Sequence, residues 1–279
     1  MRIRYESGRI LIDQSTYLVK ILERFGMENS HAARTPMVEG YYPLKNEGDK
    51  NPELTVRFQQ VIGSLLYLML GTRPDIAYAV CKLASHAANP SQEHFSRALY
   101  ILKYLNGTRN YALVYDGAGG VGNGLMAYTD SDYAQDPTHR LSQTGNLVIL
   151  ACGPISWKSF VQKSIATSST EAEYMALCDC AKQVVWIRLL LEELKLPVKI
   201  PVPIYVDNQA AIFNASNPTQ ERRTKHMDVR YHKIREFVEE GKVDLFYIPG
   251  TDNPADLFTK PLGRIKFEQF RKSLGLVFE

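Results

Sequence analysis

The chain has 279 residues, with 33 Lys and Arg against 30 Asp and Glu, a net charge of only +3, and 45% hydrophobic and 23% charged residues. This length allows two domains of ordinary size; the composition is that of a globular protein and excludes a disordered or globally basic chain, so any basic footprint is local. The scattered cysteines Cys81, Cys152, Cys178 and Cys180 exclude a disulfide framework and suggest no zinc site, and the lack of a membrane-length apolar run or an N-terminal signal core points to an intracellular protein.

In chain order, Arg2–Tyr5 and Ile10–Ile12 flank a Ser7-Gly8 turn and read as a hairpin. A helix follows, with Tyr17, Leu18, Ile21, Leu22 and Phe25 at helical spacing until Gly26. Residues 33–52 show prolines, glycines and charges without periodicity and read as a loop. Three helices are expected next: from Val56 to near Gly71, from Pro74 to Ala84, and from the N-cap Ser91 to Gly107. The first part is thus expected to be mainly helical. Asp116–Gly124 holds five glycines in nine residues and reads as a joint.

Beyond the joint the pattern changes to strands. Leu125–Thr129, Asn146–Ala151 and Ile155–Lys158 read as three antiparallel strands. A long helix is expected from Ser169 or Thr170 to about Leu194. Pro203–Val206 reads as a short apolar strand buried on both faces. Helices over Asn208–Asn214 and His226–Glu240, a strand over Val243–Ile248 and a further helix complete the order. The class is α/β, a mixed sheet of three antiparallel strands followed by helix-linked strands.

Four acidic positions stand at the edges of apolar segments: Asp130, Glu173, Asp207 and Asp256. Ligand sites form beyond the carboxyl ends of parallel strands, so Asp130 and Asp207 meet there if their strands pair. Glu173 shares a helix face with Leu177, Cys180 and Val184 and points toward the sheet. Glu171 lies about 160° away around the helix, and it remains the alternative, as Asp252 does for Asp256. Taken singly, each is an ordinary cap or turn residue. Together they form an oxygen-donor set suited to Mg²⁺.

These residues sit in motifs that resemble the Pol polyproteins of Ty1/copia-type retrotransposons. The second half resembles their ribonuclease H domain through Tyr128-Thr-Asp130, Pro154-Ile-Ser-Trp-Lys158, Ser168-Ser-Thr-Glu-Ala-Glu-Tyr174, Val206-Asp-Asn-Gln-Ala210, Thr224–His232 and Pro249–Asp256. The first half is similar to the segment after the polymerase palm, through Gly63-Ser-Leu-Leu-Tyr67, Thr72-Arg-Pro-Asp-Ile76 and Leu102–Thr108. No Tyr-x-Asp-Asp palm motif occurs in the chain, so no polymerase site is expected.

The resemblance implies a post-palm segment over 1–118, a ribonuclease H-like domain over 119–262 and a C-terminal helical tail over 263–279. It implies endonucleolytic hydrolysis of the RNA strand of RNA–DNA hybrids with two Mg²⁺ ions, or Mn²⁺, held by Asp130, Glu173, Asp207 and Asp256. Ser131, Asn208 and Gln209 are candidates for contacts to the hybrid, and Arg222, Arg223 and Lys225 open the densest basic run. His226 and His232 lie in that run, as candidates for proton transfer or as structural histidines. The remainder of a reverse transcriptase is the expected partner, in the cytoplasm within a virus-like particle or in the nucleus. The rival reading is a non-catalytic ribonuclease H-like scaffold, or a nucleic-acid-binding fragment of a decayed element.

Overall fold

The computed structural model describes residues 1–117, 124–217 and 233–278. In chain order the first elements are β1 (Arg2–Glu6), β2 (Arg9–Asp13), α1 (Ser15–Arg24), α2 (Pro52–Gly71), α3 (Ala77–Ala84), α4 (Gln92–Gly107) and β3 (Tyr111–Asp116). There follow β4 (Met126–Asp132), β5 (Gln143–Leu150), β6 (Gly153–Val161), α5 (Ser169–Glu193), β7 (Val202–Val206) and α6 (Gln209–Ser216). A helix over 233–239 (α7), β8 (Val243–Tyr247), a 3-10 turn (Pro254–Phe258), α8 (Arg264–Ser273) and β9 (Leu276–Phe278) complete the chain. They group into two units: Met1–Tyr115 with Pro137–His139 and the residues from Lys260 onward, and Asp116–Asp136 with Arg140–Thr259.

The first unit is mainly helical, as expected, with the expected β1–β2 hairpin at its start. It holds a four-stranded sheet in the order β1-β2-β3-β9, and β3 and β9 are strands that no local pattern announces. Residues 263–279, expected as a helical tail, do form the helix α8 but end in the strand β9, which pairs antiparallel with β3 through Leu113↔Leu276. The pairing buries Leu113 and Leu276, which explains why the segment does not trail free. Helices α2 to α4 bury Phe58, Leu65, Leu68, Val80, Leu83 and Leu102 completely or nearly so.

Under these helices lies an ionic group. Arg73, 2% exposed, donates through Nε and Nη2 to both oxygens of Asp75 at 2.9 and 2.8 Å, and through Nη1 and Nη2 to Thr108 O and Oγ1 at 3.1 and 2.7 Å. Tyr104 Oη donates to Asp75 Oδ2 at 2.5 Å, and Arg271 of α8 donates to Tyr104 Oη at 3.2 Å. The Thr72–Ile76 motif therefore works as a buried clamp.

Helix α4 begins with a histidine capping box. Ser91 Oγ accepts from His94 N at 3.2 Å, and His94 Nδ1 accepts from Ser91 N at 3.0 Å. The accepting Nδ1 requires the neutral ring, which stacks on His86 at 4.2 Å. Burial holds the His94 pKa below its ordinary value, against a raising hydrogen bond to the Leu44 backbone and a raising charge on Glu93. The unfolded chain takes up this proton below about pH 6.5 while the folded ring resists, so the cap's stability is intact above that pH and is lost as pH falls through it. Urea unfolding at neutral and mildly acidic pH is expected to show a lower midpoint in acid. A His94→Gln variant, which keeps the box, is expected to flatten that pH dependence; an unchanged slope would contradict the account.

The second unit is a five-stranded mixed sheet in the order β6-β5-β4-β7-β8. Strands β4, β5 and β6 are antiparallel, as expected, and β4, β7 and β8 are parallel. Helix α5 covers the centre, with Tyr174, Leu177, Cys180, Ala181 and Val184 fully buried against it. Strand β7 differs from expectation: Val202, Ile204 and Val206 are buried, whereas Pro203 and Tyr205 on the other face are only half-buried. An all-apolar run of five thus hides a strand with one buried and one half-buried face, on which Tyr205 stacks on Tyr128 at 5.0 Å. No helix among the described residues is long and apolar enough to cross a membrane.

Candidate metal centre

Asp130 lies near the end of β4 and Asp207 directly follows β7. The parallel register Thr129↔Val206 makes them next neighbours beyond the last paired residues. Helix α5 supplies the third carboxylate, and its start decides which glutamate is presented. Ser168 caps the helix, its Oγ accepting from Glu171 N at 3.1 Å. The Glu171 carboxylate folds back to accept from Thr167 N at 2.7 Å and Thr167 Oγ1 at 2.5 Å. Two residues on, Glu173 faces the sheet, and its Oε1 accepts from Ser131 N at 3.1 Å.

Asp130, Glu173 and Asp207 each offer an oxygen within 4.8 Å of the others, with Asp130 and Glu173 buried. Like charges at that separation repel by roughly 1 to 4 kcal/mol per pair, depending on solvent access. A divalent cation relieves this. A purely carboxylate donor set is hard and fits Mg²⁺ or Mn²⁺ rather than a thiolate-seeking metal.

Asp256 does not enter this three-carboxylate group. It sits in the 3-10 turn Pro254–Phe258, 1% exposed, whereas Asp252 is exposed at the turn before it. Three residues anchor that turn beside Asp130. Fully buried Asn253 accepts from Ala255 N at 3.1 Å and donates through Nδ2 to Thr129 O at 2.9 Å, tying the turn to β4. Thr259 Oγ1 donates to Asp130 Oδ2. Ser159 Oγ donates to Phe258 O at 2.7 Å.

Gly145, the β5 partner of Asp130, makes room for the turn, since a Cβ there would lie 2.7 Å from Ala255 O and 2.8 Å from Phe258 Cβ. Gly250 lets its loop approach the site similarly, a Cβ falling 3.1 Å from Asp207 Oδ2. The positioning roles of Thr259 and Gly145 were missed in the sequence. Asn253 stood inside a quoted motif but carries no mark of its role other than its cap-favouring side chain.

Two of the expected polar contacts directly follow the carboxylates of β4 and β7. Ser131 follows Asp130 on β4, and Asn208 spends its Oδ1 in capping α6 by accepting from Ala211 N at 2.9 Å. Gln209 is exposed in the first turn of α6. Arg222, Arg223 and Lys225, with His226 and His232, lie outside the described residues.

Known proteins are similar to this sequence. The chain is 38% identical over 276 residues to the retrovirus-related Pol polyprotein from transposon TNT 1-94 of Nicotiana tabacum, across 97% of this chain and 20% of that one. It is 34% identical over 266 residues to the Pol polyprotein from transposon RE2 of Arabidopsis thaliana, across 95% of this chain and 18% of that one. The chain thus spans about a fifth of the length of these curated relatives. Among solved structures, LC11-RNase H1 isolated from compost aligns with a TM-score of 0.38 at 17% identity, over 49% of this chain and 93% of that one. No protein-family model matches the chain.

Proposed function

Because the chain belongs to the Pol polyproteins of Ty1/copia-type retrotransposons, we propose that its second unit is a ribonuclease H that hydrolyses the RNA strand of RNA–DNA hybrids. The observation that carries this reading is the group Asp130, Glu173 and Asp207, whose oxygens lie within 4.8 Å of one another at the carboxyl edge of two parallel strands. In this reading those three carboxylates would hold Mg²⁺, and Asp256, outside that group on the adjacent 3-10 turn, would be the fourth carboxylate of a two-ion site. The bound cations supply charge that acidifies the attacking water and offsets the charge on the leaving oxygen.

The chain's own residues place the reaction. Asp130 is read as the shared ligand, since β7 brings Asp207 beside it and its neighbour Ser131 holds Glu173, and Thr259 fixes its carboxylate through Oδ2. The Ser131 N–H fixes Glu173 in the same way. Asn253 and Gly145 hold the Asp256 turn against the strand. Asn208 and Gln209, which follow Asp207, are the candidates for contacts to the 2′-hydroxyls that distinguish RNA from DNA, whereas the Ser131 hydroxyl is buried. Arg222, Arg223 and Lys225 add phosphate contacts. The first unit corresponds to the post-palm part of a reverse transcriptase and docks on the remainder of that enzyme.

The glutamate assignment has its own test. In a hybrid-cleavage assay with Mg²⁺, Glu173→Gln is expected to lower the rate by roughly 10² to 10³-fold, as loss of one preorganised charge does. Glu171→Gln is expected to keep activity within a few-fold and to cost about 1 kcal/mol of helix-cap stability. The reverse pattern would move the metal site to Glu171.

A further inference from the structure

Helix α5 has a second apolar stripe that the second unit does not use. Its inner face is buried through Val184, Ile187 and Leu191. On the outer face Trp186 is 62% exposed, Leu189 48% and Leu190 44%. Bulky apolar groups in solvent at consecutive helical turns mark a contact surface more than chance does, and tryptophan is a frequent interface anchor. The same stripe continues to an exposed lysine one turn before Trp186, Lys182, and an exposed glutamate one turn after Leu189, Glu193. Among the described residues neither of them forms an ion pair.

The spacing 182, 186, 189 and 193 is the alternating four-and-three step of a two-helix seam. Its order is cation, aromatic, aliphatic, anion. Laid antiparallel on its own copy about a two-fold axis between Trp186 and Leu189, the seam sets Trp186 against Leu189 and Lys182 against Glu193, each contact made twice. Laid parallel, it sets lysine against lysine and glutamate against glutamate. We propose that the exposed face of α5 is a self-complementary surface on which two copies of this chain associate through antiparallel α5 helices, with Trp186 and Leu189 as the apolar centre and Lys182–Glu193 pairs as its ends.

The seam has four layers, less than a standard interface buries, so the expected dissociation constant lies at about 10 to 100 µM. Sedimentation of the full chain from about 1 to about 200 µM is expected to show a monomer–dimer equilibrium within that range. Trp186→Ala is expected to weaken it by about 10-fold or more. Lys182→Glu sets like charges opposite one another and is expected to weaken it by about 5-fold, whereas Lys182→Glu with Glu193→Lys is expected to restore it. All four positions are solvent-facing, so the circular dichroism of each variant should match the parent. A chain that stays monomeric throughout overturns the proposal, and so does a charge reversal that the swap fails to rescue. Hybrid cleavage by the same variants is expected to persist, which separates this surface from the metal centre.

Discussion

An Asp130→Asn variant is expected to lose RNA hydrolysis by about 10³-fold or more while folding as the parent does. The substitution is nearly isosteric. Asparagine keeps a carbonyl oxygen able to accept from Thr259 Oγ1, so the anchor between β4 and the 3-10 turn survives. What disappears is one charge from a group of three carboxylates whose oxygens lie within 4.8 Å of one another. Two readouts follow. Without divalent metal the variant is expected to be at least as stable as the parent, because like-charge repulsion falls. With Mg²⁺ added, the parent gains stability by mass action on the folded state and the variant gains less. Thermal melts with Mg²⁺ and with chelator check both. A parent melting point indifferent to Mg²⁺ at millimolar concentration would argue that the carboxylates hold no metal.

The second large effect concerns the first unit. Arg73→Met is expected to cost about 3 to 5 kcal/mol, because it leaves the Asp75 carboxylate buried without its cation. Asp75 has a side-chain exposure of 0% and Arg73 of 3%, so water does not replace the lost partner. The change also strips the donors from Thr108 O and Oγ1. In urea the midpoint of the first unit is expected to fall by about 2 M. Replacing both partners with apolar residues of similar volume, Arg73→Met with Asp75→Leu, is expected to recover a large part of the loss, because no orphaned charge remains. A single variant within about 1 kcal/mol of the parent would mean that the clamp is dispensable.

The sequence made the second unit legible because each of its signals is local. The alternation in β4 to β6, the helix starts near Ser169 and at Asn208 and the apolar run of β7 each announce one element within a dozen residues, although the cap of α5 proves to be Ser168 and not Ser169 or Thr170. The helical-face argument separated Glu173 from Glu171 for the same reason: side-chain direction along a helix follows from spacing alone. The first unit hid what is not local. Strand β3 pairs with β9, whose residues lie about 165 positions further along the chain, and neither run alternates long enough to stand apart from a loop. The role of Thr259 was hidden similarly, because its contact with Asp130 joins residues 129 positions apart. Gly145 carries no sequence signal of its own, because its purpose is the absence of a Cβ under a turn that lies more than a hundred residues further on.

The central claim is that the Asp130 site hydrolyses the RNA strand of a hybrid with metal assistance. The direct measurement uses an RNA–DNA hybrid labelled on the RNA strand, incubated with the full chain and Mg²⁺ beside the same mixture with chelator and beside Asp130→Asn. The account predicts RNA fragments with 3′-hydroxyl ends only in the first mixture, with the DNA strand intact. RNA left whole by a folded parent chain would contradict it, as would cleavage that survives chelator or the loss of Asp130.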